Sequence, residues 1–221
     1  MLDGLRDLTV LYNRANTCVA CHQALDPQLL EAGHPELLFE LGGQTAAMPR
    51  HWREKDTNTH AIAWFTGQAA ALRELTAQLR NKVDDKVYLQ WQAALWVVNT
   101  ANPTGSTASF DTNAVSSTDK LTALHRVADE LALKADSPQG WLQNLLNARI
   151  EEPATNLQAA RAERLVQGID RLLYSVPNRA TNSQLGIEEL FKQIQSRPDF
   201  SPSRFNQALQ NMRNTAARSA D

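Results

Sequence analysis

The chain has 221 residues and a formal net charge of −2 at pH 7, with 43% hydrophobic and 21% charged residues. This composition is typical of a globular protein and gives no basic patch that would indicate nucleic-acid binding. No apolar run approaches the roughly 20 residues of a membrane-spanning helix.

The first predicted element is a short helix over residues 3–16. The first residues lack a basic segment followed by an apolar segment, which is how an export leader begins. If the protein is exported, we expect this chain to be the mature form, with Met1 added or retained.

Directly after this helix the sequence reads Cys18-Val19-Ala20-Cys21-His22, and the motif uses both cysteines of the chain. The spacing C-x-x-C-H is the attachment signature of a c-type haem. Two thiols at this spacing reach the two vinyl groups of one porphyrin, and the adjoining imidazole becomes the proximal iron ligand. The sequence therefore predicts one covalent haem c held by Cys18, Cys21 and His22.

Two other chemistries use a C-x-x-C pair. A thioredoxin-type redox pair needs a strand before it and a helix after it, and no buried parallel strand is indicated within residues 1–40. A structural zinc site needs two further ligands, for which only His34 and His51 could be proposed, at unusually long spacings. A chance match is improbable because Cys is rare in this chain.

Helical patterns continue to the end of the chain. A short helix over 25–32 is opened by Asp26-Pro27 and closed by Gly33, and another turn or two is expected over 35–42. Further helices are predicted over 57–82, 87–101, 119–135, from Ser137-Pro138 through Leu146, over 155–176, over 183–196 and from Ser201-Pro202 onward. The fold class is all-α, a helical bundle or array with the haem near the N-terminus.

A long segment rich in Ser, Thr, Asn and Gly follows Asn102 and is expected to be a loop or linker. It suggests a haem-binding helical domain over 1–102, a linker over 103–118 and a C-terminal helical region over 119–221. The last region could pack on the first as one unit.

The sequence motif does not identify the second axial ligand of the iron. Imidazole and thioether are both competent, and the candidates are His34, His51, His60, His125, Met48, Met212 and Met1. His34 is favoured because it follows a short helix that Gly33 ends and because Pro35 fixes the chain beyond it. Met48, His51 and His60 are weaker candidates as ligands or haem propionate partners, and His125 is more simply a surface or structural histidine.

Four elements then match a known family in sequence order. They are the C-x-x-C-H motif, the run LLEAGHPELLFE over 29–40, the run MPRHW over 48–52 and the run WFTGQAAAL over 64–72. Over about residues 15–80 the chain resembles a group of bacterial multihaem cytochromes c related to cytochrome c554. The resemblance implies that His34 is an iron ligand, which gives bis-His coordination.

The chain also departs from that family. Relatives carry further C-x-x-C-H motifs, whereas this sequence has one, and Pro27 stands where relatives often have an additional His. The chain therefore looks like a single-haem version of the family.

The motif and the resemblance lead to an expected function. We expect an exported, periplasmic electron-transfer protein rather than an enzyme, with redox proteins as partners, among them other cytochromes or membrane-complex subunits. Two alternatives are a haem-bearing structural or docking subunit of a respiratory or photosynthetic complex, and a haem sensor or enzyme with an open sixth iron position.

Overall fold

The computed structural model describes residues 6–23, 27–34, 39–42, 58–81, 84–136, 138–173, 175, 186–195 and 198–218. Over these residues the chain is helical and contains no strand, which confirms the all-α prediction. The α-helices are α1 (Leu11–His22), α2 (Pro27–Glu31), α3 (Asn58–Asn81), α4 (Asp85–Ala101), α5 (Thr118–Lys134), α6 (Trp141–Leu146), α7 (Asn156–Leu173), α8 (Ile187–Ile194) and α9 (Pro202–Arg218).

The first helix differs from its prediction. It begins at Leu11 rather than at residue 3, and it continues through the C-x-x-C-H motif to His22 rather than ending at residue 16. A local turn precedes it, because the Asp7 carboxylate accepts hydrogen bonds from the backbone N–H of Thr9 (2.9 Å) and from its hydroxyl (2.6 Å). Such side-chain bonds give the backbone an alternative to the helix, so α1 begins after this turn.

The second helix ends as its sequence predicts. Gly33 has φ +90°, the left-handed conformation that glycine adopts most readily at a helix C-terminus. The backbone N–H of His34 then donates to the Leu29 carbonyl at 2.9 Å, which closes the helix. Of the element predicted over 35–42, residues 35–38 lie outside the described residues, and residues 41–42 are helical.

Helix α3 lies at the centre of the bundle and confirms the helix predicted over 57–82. It packs against α1, α4, α5 and α7, most extensively against α5. Many of its buried side chains are alanines (Ala61, Ala63, Ala69, Ala70 and Ala71), so neighbouring helices approach it closely on more than one side. Helix α4 begins at Asp85, two residues earlier than predicted, because the Asp84 carboxylate caps the N–H groups of Lys86 and Val87.

The segment predicted as a linker forms two 3₁₀ turns, Ser106–Ser109 and Thr112–Ser116. Thr107 and Ala114 within these turns are buried. The principal hydrophobic cluster contains residues from Ala61 to Met212, so it joins side chains from both sides of this segment. The two predicted helical regions therefore share a core.

The later helices match their predicted positions except at some ends. Helix α6 was expected to start at Ser137-Pro138, but it begins at Trp141, after Gly140 at φ +82°. Ser137 itself lies outside the described residues. Helix α7 ends at Leu173 rather than at residue 176. The cap at Ser201 is confirmed, since its hydroxyl accepts from the Arg204 N–H at 3.4 Å.

A glycine sets the contact between α7 and α3. A methyl group on Gly168 would come within 2.6 Å of the Trp64 ring and 2.8 Å of a Leu145 methyl carbon. Only glycine therefore permits this crossing without a shift of the neighbouring side chains. In the described part of the chain, no helix is long and apolar enough to span a membrane.

Candidate haem attachment site

The C-x-x-C-H motif occupies the last part of α1. Cys18 and His22 are four residues apart on one helix, so their side chains lie on the same face, one turn from each other. Ala15 and Val19 are fully buried on that side of the helix, whereas Thr17 is exposed. The face that carries Cys18 and His22 is thus directed toward the bundle.

A second, smaller hydrophobic cluster lies under this face, and we call it the α1 cluster. Its buried members are Ala15, Val19, Phe39, Leu41, Ala63, Ala69, Ala70, Ala71 and Ala132. Cys18 is partly buried and packs against it. The motif therefore stands beside apolar groups from α3, from α5 and from the segment over 39–42.

His22 carries an unsatisfied polar atom. Its Nδ1 is buried and has no hydrogen-bond partner among the described residues. Burial of such an atom without a partner costs about 1–3 kcal/mol, and Asn16 Oδ1 and Gln23 Oε1 nearby are in the same state, so this feature is not specific to His22. A metal-bound histidine normally donates its second ring N–H to an acceptor.

These observations test whether a haem fits the residues present. The donor set is an imidazole and two cysteines within a single helical segment, and the Cys18 side chain is partly buried against the α1 cluster. The neighbouring α1 cluster supplies apolar side chains of the kind that line cofactor sites. The residues present are thus of the kinds that a haem needs, and Cys18 and Cys21 would be its thioether donors and His22 its iron ligand.

The candidates for the second axial ligand lie in different places. His34 is exposed, directly after α2. His60 is exposed in the first turn of α3. Met48 and His51 fall outside the described residues. His34 as a ligand stays a prediction.

His125 and Met212 are placed in other parts of the bundle. Met212 is buried in the principal hydrophobic cluster. His125 is half-buried on α5, and burial together with the nearby charges of Arg73 and Arg80 lowers its pKa below 6.5, against the opposing effect of Glu74 and Asp129. This agrees with a structural histidine on α5.

A polar network that the sequence analysis missed connects α1 to the bundle. The Tyr12 hydroxyl donates to Asp129 Oδ1 at 2.8 Å, and Arg73 Nη1 donates to the same oxygen at 2.6 Å. Arg73 also donates to Glu74 Oε1 through Nε (3.0 Å) and Nη2 (2.6 Å). No local sequence pattern predicts this network, because Tyr12 and Asp129 are 117 residues apart in the chain.

No protein-family model, no curated protein and no solved structure matches this chain. In the described ranges, no group of three or more His, Cys, Asp or Glu side chains comes together in a way that could hold a metal ion.

The pKa of His125 predicts a pH-dependent stability. Because the folded protein binds a proton at His125 less readily than the unfolded chain does, this histidine contributes stability above about pH 6.5, which is lost as the pH falls through its folded pKa. We expect urea midpoints of the wild type to drop between about pH 7.5 and pH 5 by more than those of His125→Gln. Parallel midpoint curves for the two proteins would contradict the assignment.

Proposed function

We propose that this chain is an exported monohaem c-type cytochrome that carries single electrons between redox partners, with Cys18 and Cys21 bound to the porphyrin and His22 bound to the iron. The observation that carries the proposal is the placement of Cys18 and His22 on one face of α1, next to the α1 cluster. When bound, the haem supplies an iron that gains and loses one electron.

The protein's contribution is to hold this group in place. Cys18, Cys21 and His22, all from one helix, would hold the haem by two thioether bonds and one imidazole. Apolar side chains of the α1 cluster lower the local dielectric and exclude water on one side. A second imidazole, from His34, would fill the sixth coordination position, so that small molecules have no site on the iron.

Haem c is attached after export in bacteria, so the proposal includes a periplasmic location. A redox protein that accepts and donates single electrons needs partners that dock near the haem edge. We propose other cytochromes or membrane-complex subunits for this role.

The test is the mass of the protein after expression with periplasmic targeting and the haem c maturation machinery. We expect the mass of the wild type to increase by that of one haem, which stays attached after denaturation. We expect no added mass in the double variant Cys18→Ala/Cys21→Ala. The matched control is Cys18→Ser alone. This variant can still form one thioether bond, so we expect a reduced yield of covalent haem. A wild-type chain without added haem mass would overturn the proposal.

A further inference from the structure

The Tyr12–Asp129–Arg73–Glu74 network is the polar attachment of α1 to the helices beneath it. One carboxylate oxygen of Asp129, on α5, accepts from both Tyr12 of α1 and Arg73 of α3. Arg73 is only 9% exposed, and its ion pairs with Glu74 and Asp129 both measure 2.6 Å. Charge-assisted hydrogen bonds of this length in a partly desolvated site are directional and strong.

The apolar contacts of α1 cannot fix its position to the same extent. The fully buried apolar side chains of α1 are Ala15 and Val19, with Leu11, Tyr12 and Cys18 partly buried against the α1 cluster, and the α3 side chains in that cluster are alanines. Small, smooth side chains permit two helices to slide or rotate at low cost, whereas a hydrogen bond requires defined distances and angles. The network therefore adds a directional restraint on the register of α1 against α3 and α5.

Tyr12 lies on the same helix as the haem-binding motif, between one and three turns before Cys18 and His22. A short α-helix moves as a rigid unit, so a displacement at Tyr12 is transmitted to both residues. The potential of a haem depends on its burial and on the charges and hydrogen bonds around it.

We propose that Asp129 and Tyr12 are positioning residues for the haem: they hold the haem-bearing helix against the bundle and thereby raise the reduction potential. This inference depends on the proposed function. The physical reason is that a loosened α1 lets water reach the haem, and water stabilises the more highly charged ferric state.

The test compares Tyr12→Phe and Asp129→Ala with the wild type, all as full-length, haem-loaded protein. Tyr12→Phe changes no charge and keeps the aromatic ring. The control is Asn206→Ala on α9, which removes a pair of hydrogen bonds with the backbone of Ile150 (2.9 and 2.7 Å) at a site made by other helices. Each variant is measured by urea unfolding and by a spectroelectrochemical redox titration.

We expect Tyr12→Phe and Asp129→Ala to shift the reduction potential downward, and Asn206→Ala to lose stability with no shift. Two results would overturn the inference. If Asp129→Ala raises the potential while Tyr12→Phe leaves it unchanged, Asp129 acts only through its charge. If neither shifts the potential more than Asn206→Ala, the network is purely structural. A wild type without covalent haem refutes the proposed function itself, and the mass measurement separates that outcome from the other two.

Discussion

His34→Ala is expected to convert a six-coordinate, low-spin haem protein into one that binds carbon monoxide. The covalent haem should remain, because Cys18, Cys21 and His22 are unchanged. In the structure the backbone N–H of His34 is held by the Leu29 carbonyl at 2.9 Å, and Gly33 at φ +90° turns the chain at this point. The direction of the chain at His34 is therefore set by the end of α2, as a defined ligand position requires.

The measurement is the visible spectrum of the oxidised and reduced protein, with and without carbon monoxide. His60→Ala is the matched control, since His60 is also an exposed histidine near the N-terminal half of the chain. We expect its spectrum to equal that of the wild type. A low-spin spectrum in His34→Ala, unreactive toward carbon monoxide, would remove His34 as the ligand. A sulfur-to-iron charge-transfer band in the wild type would instead indicate Met48, which Met48→Leu would then abolish.

The helices could largely be predicted from the sequence because their signals are local. Gly33 after α2 and Ser201-Pro202 before α9 each act on backbone groups within a few residues, so their effect can be read without the rest of the fold. The cap of Asp84 before α4 is equally local, but the predicted start at residue 87 does not use it. The starts of α1 and α6, which both come later than predicted, have the same origin. In both cases a turn built by nearby residues, Asp7 with Thr9 and the left-handed Gly140, prevails over a helix-compatible sequence.

The C-x-x-C-H motif could be found for a similar reason, since the chemistry proposed for it is contained within five consecutive residues. The surroundings of the motif could not be predicted from the sequence. The α1 cluster combines residues from 15 to 132, and the Tyr12–Asp129 bond joins positions 117 residues apart. A second axial ligand to the proposed haem would equally be a product of tertiary packing, because no spacing rule selects one histidine or methionine of the chain.

Arg164 is the side chain whose environment the sequence predicts least. An arginine on an amphipathic helix is expected at the surface with its charge in water, yet Arg164 is only 1% exposed. Its Nη1 donates to Gln68 Oε1 at 2.8 Å, its Nη2 donates to Gln90 Oε1 at 3.3 Å, and its Nε has no partner among the described residues. Burial lowers the pKa of this guanidinium to about 10, against the opposing charge of Glu163.

At neutral pH the buried guanidinium is thus still charged, and the side-chain amides of Gln68 and Gln90 each accept one hydrogen bond from it. The Gln68 bond is the shorter of the two and joins α7 to α3, the central helix of the bundle. Removal of the Gln68 acceptor leaves the cation buried with one hydrogen bond fewer. The loss of a hydrogen bond from a charged group costs more free energy than the loss of one from a neutral group.

We therefore expect Gln68→Leu to lower the free energy of unfolding by about 2–4 kcal/mol. The measurement is urea unfolding at neutral pH. Gln143→Leu, the same substitution at an exposed position of α6, is the matched control and should change stability by less than about 0.5 kcal/mol.

The double variant Gln68→Leu/Arg164→Met separates the cost of the stranded charge from the cost of altered packing. When both partners become apolar, no buried cation is left without an acceptor, so the double variant should be more stable than Gln68→Leu alone. If it is less stable than Gln68→Leu, then packing rather than charge satisfaction governs this site. In that case Arg164 is held in the core by its aliphatic stem, and Gln68 contributes mainly through its volume.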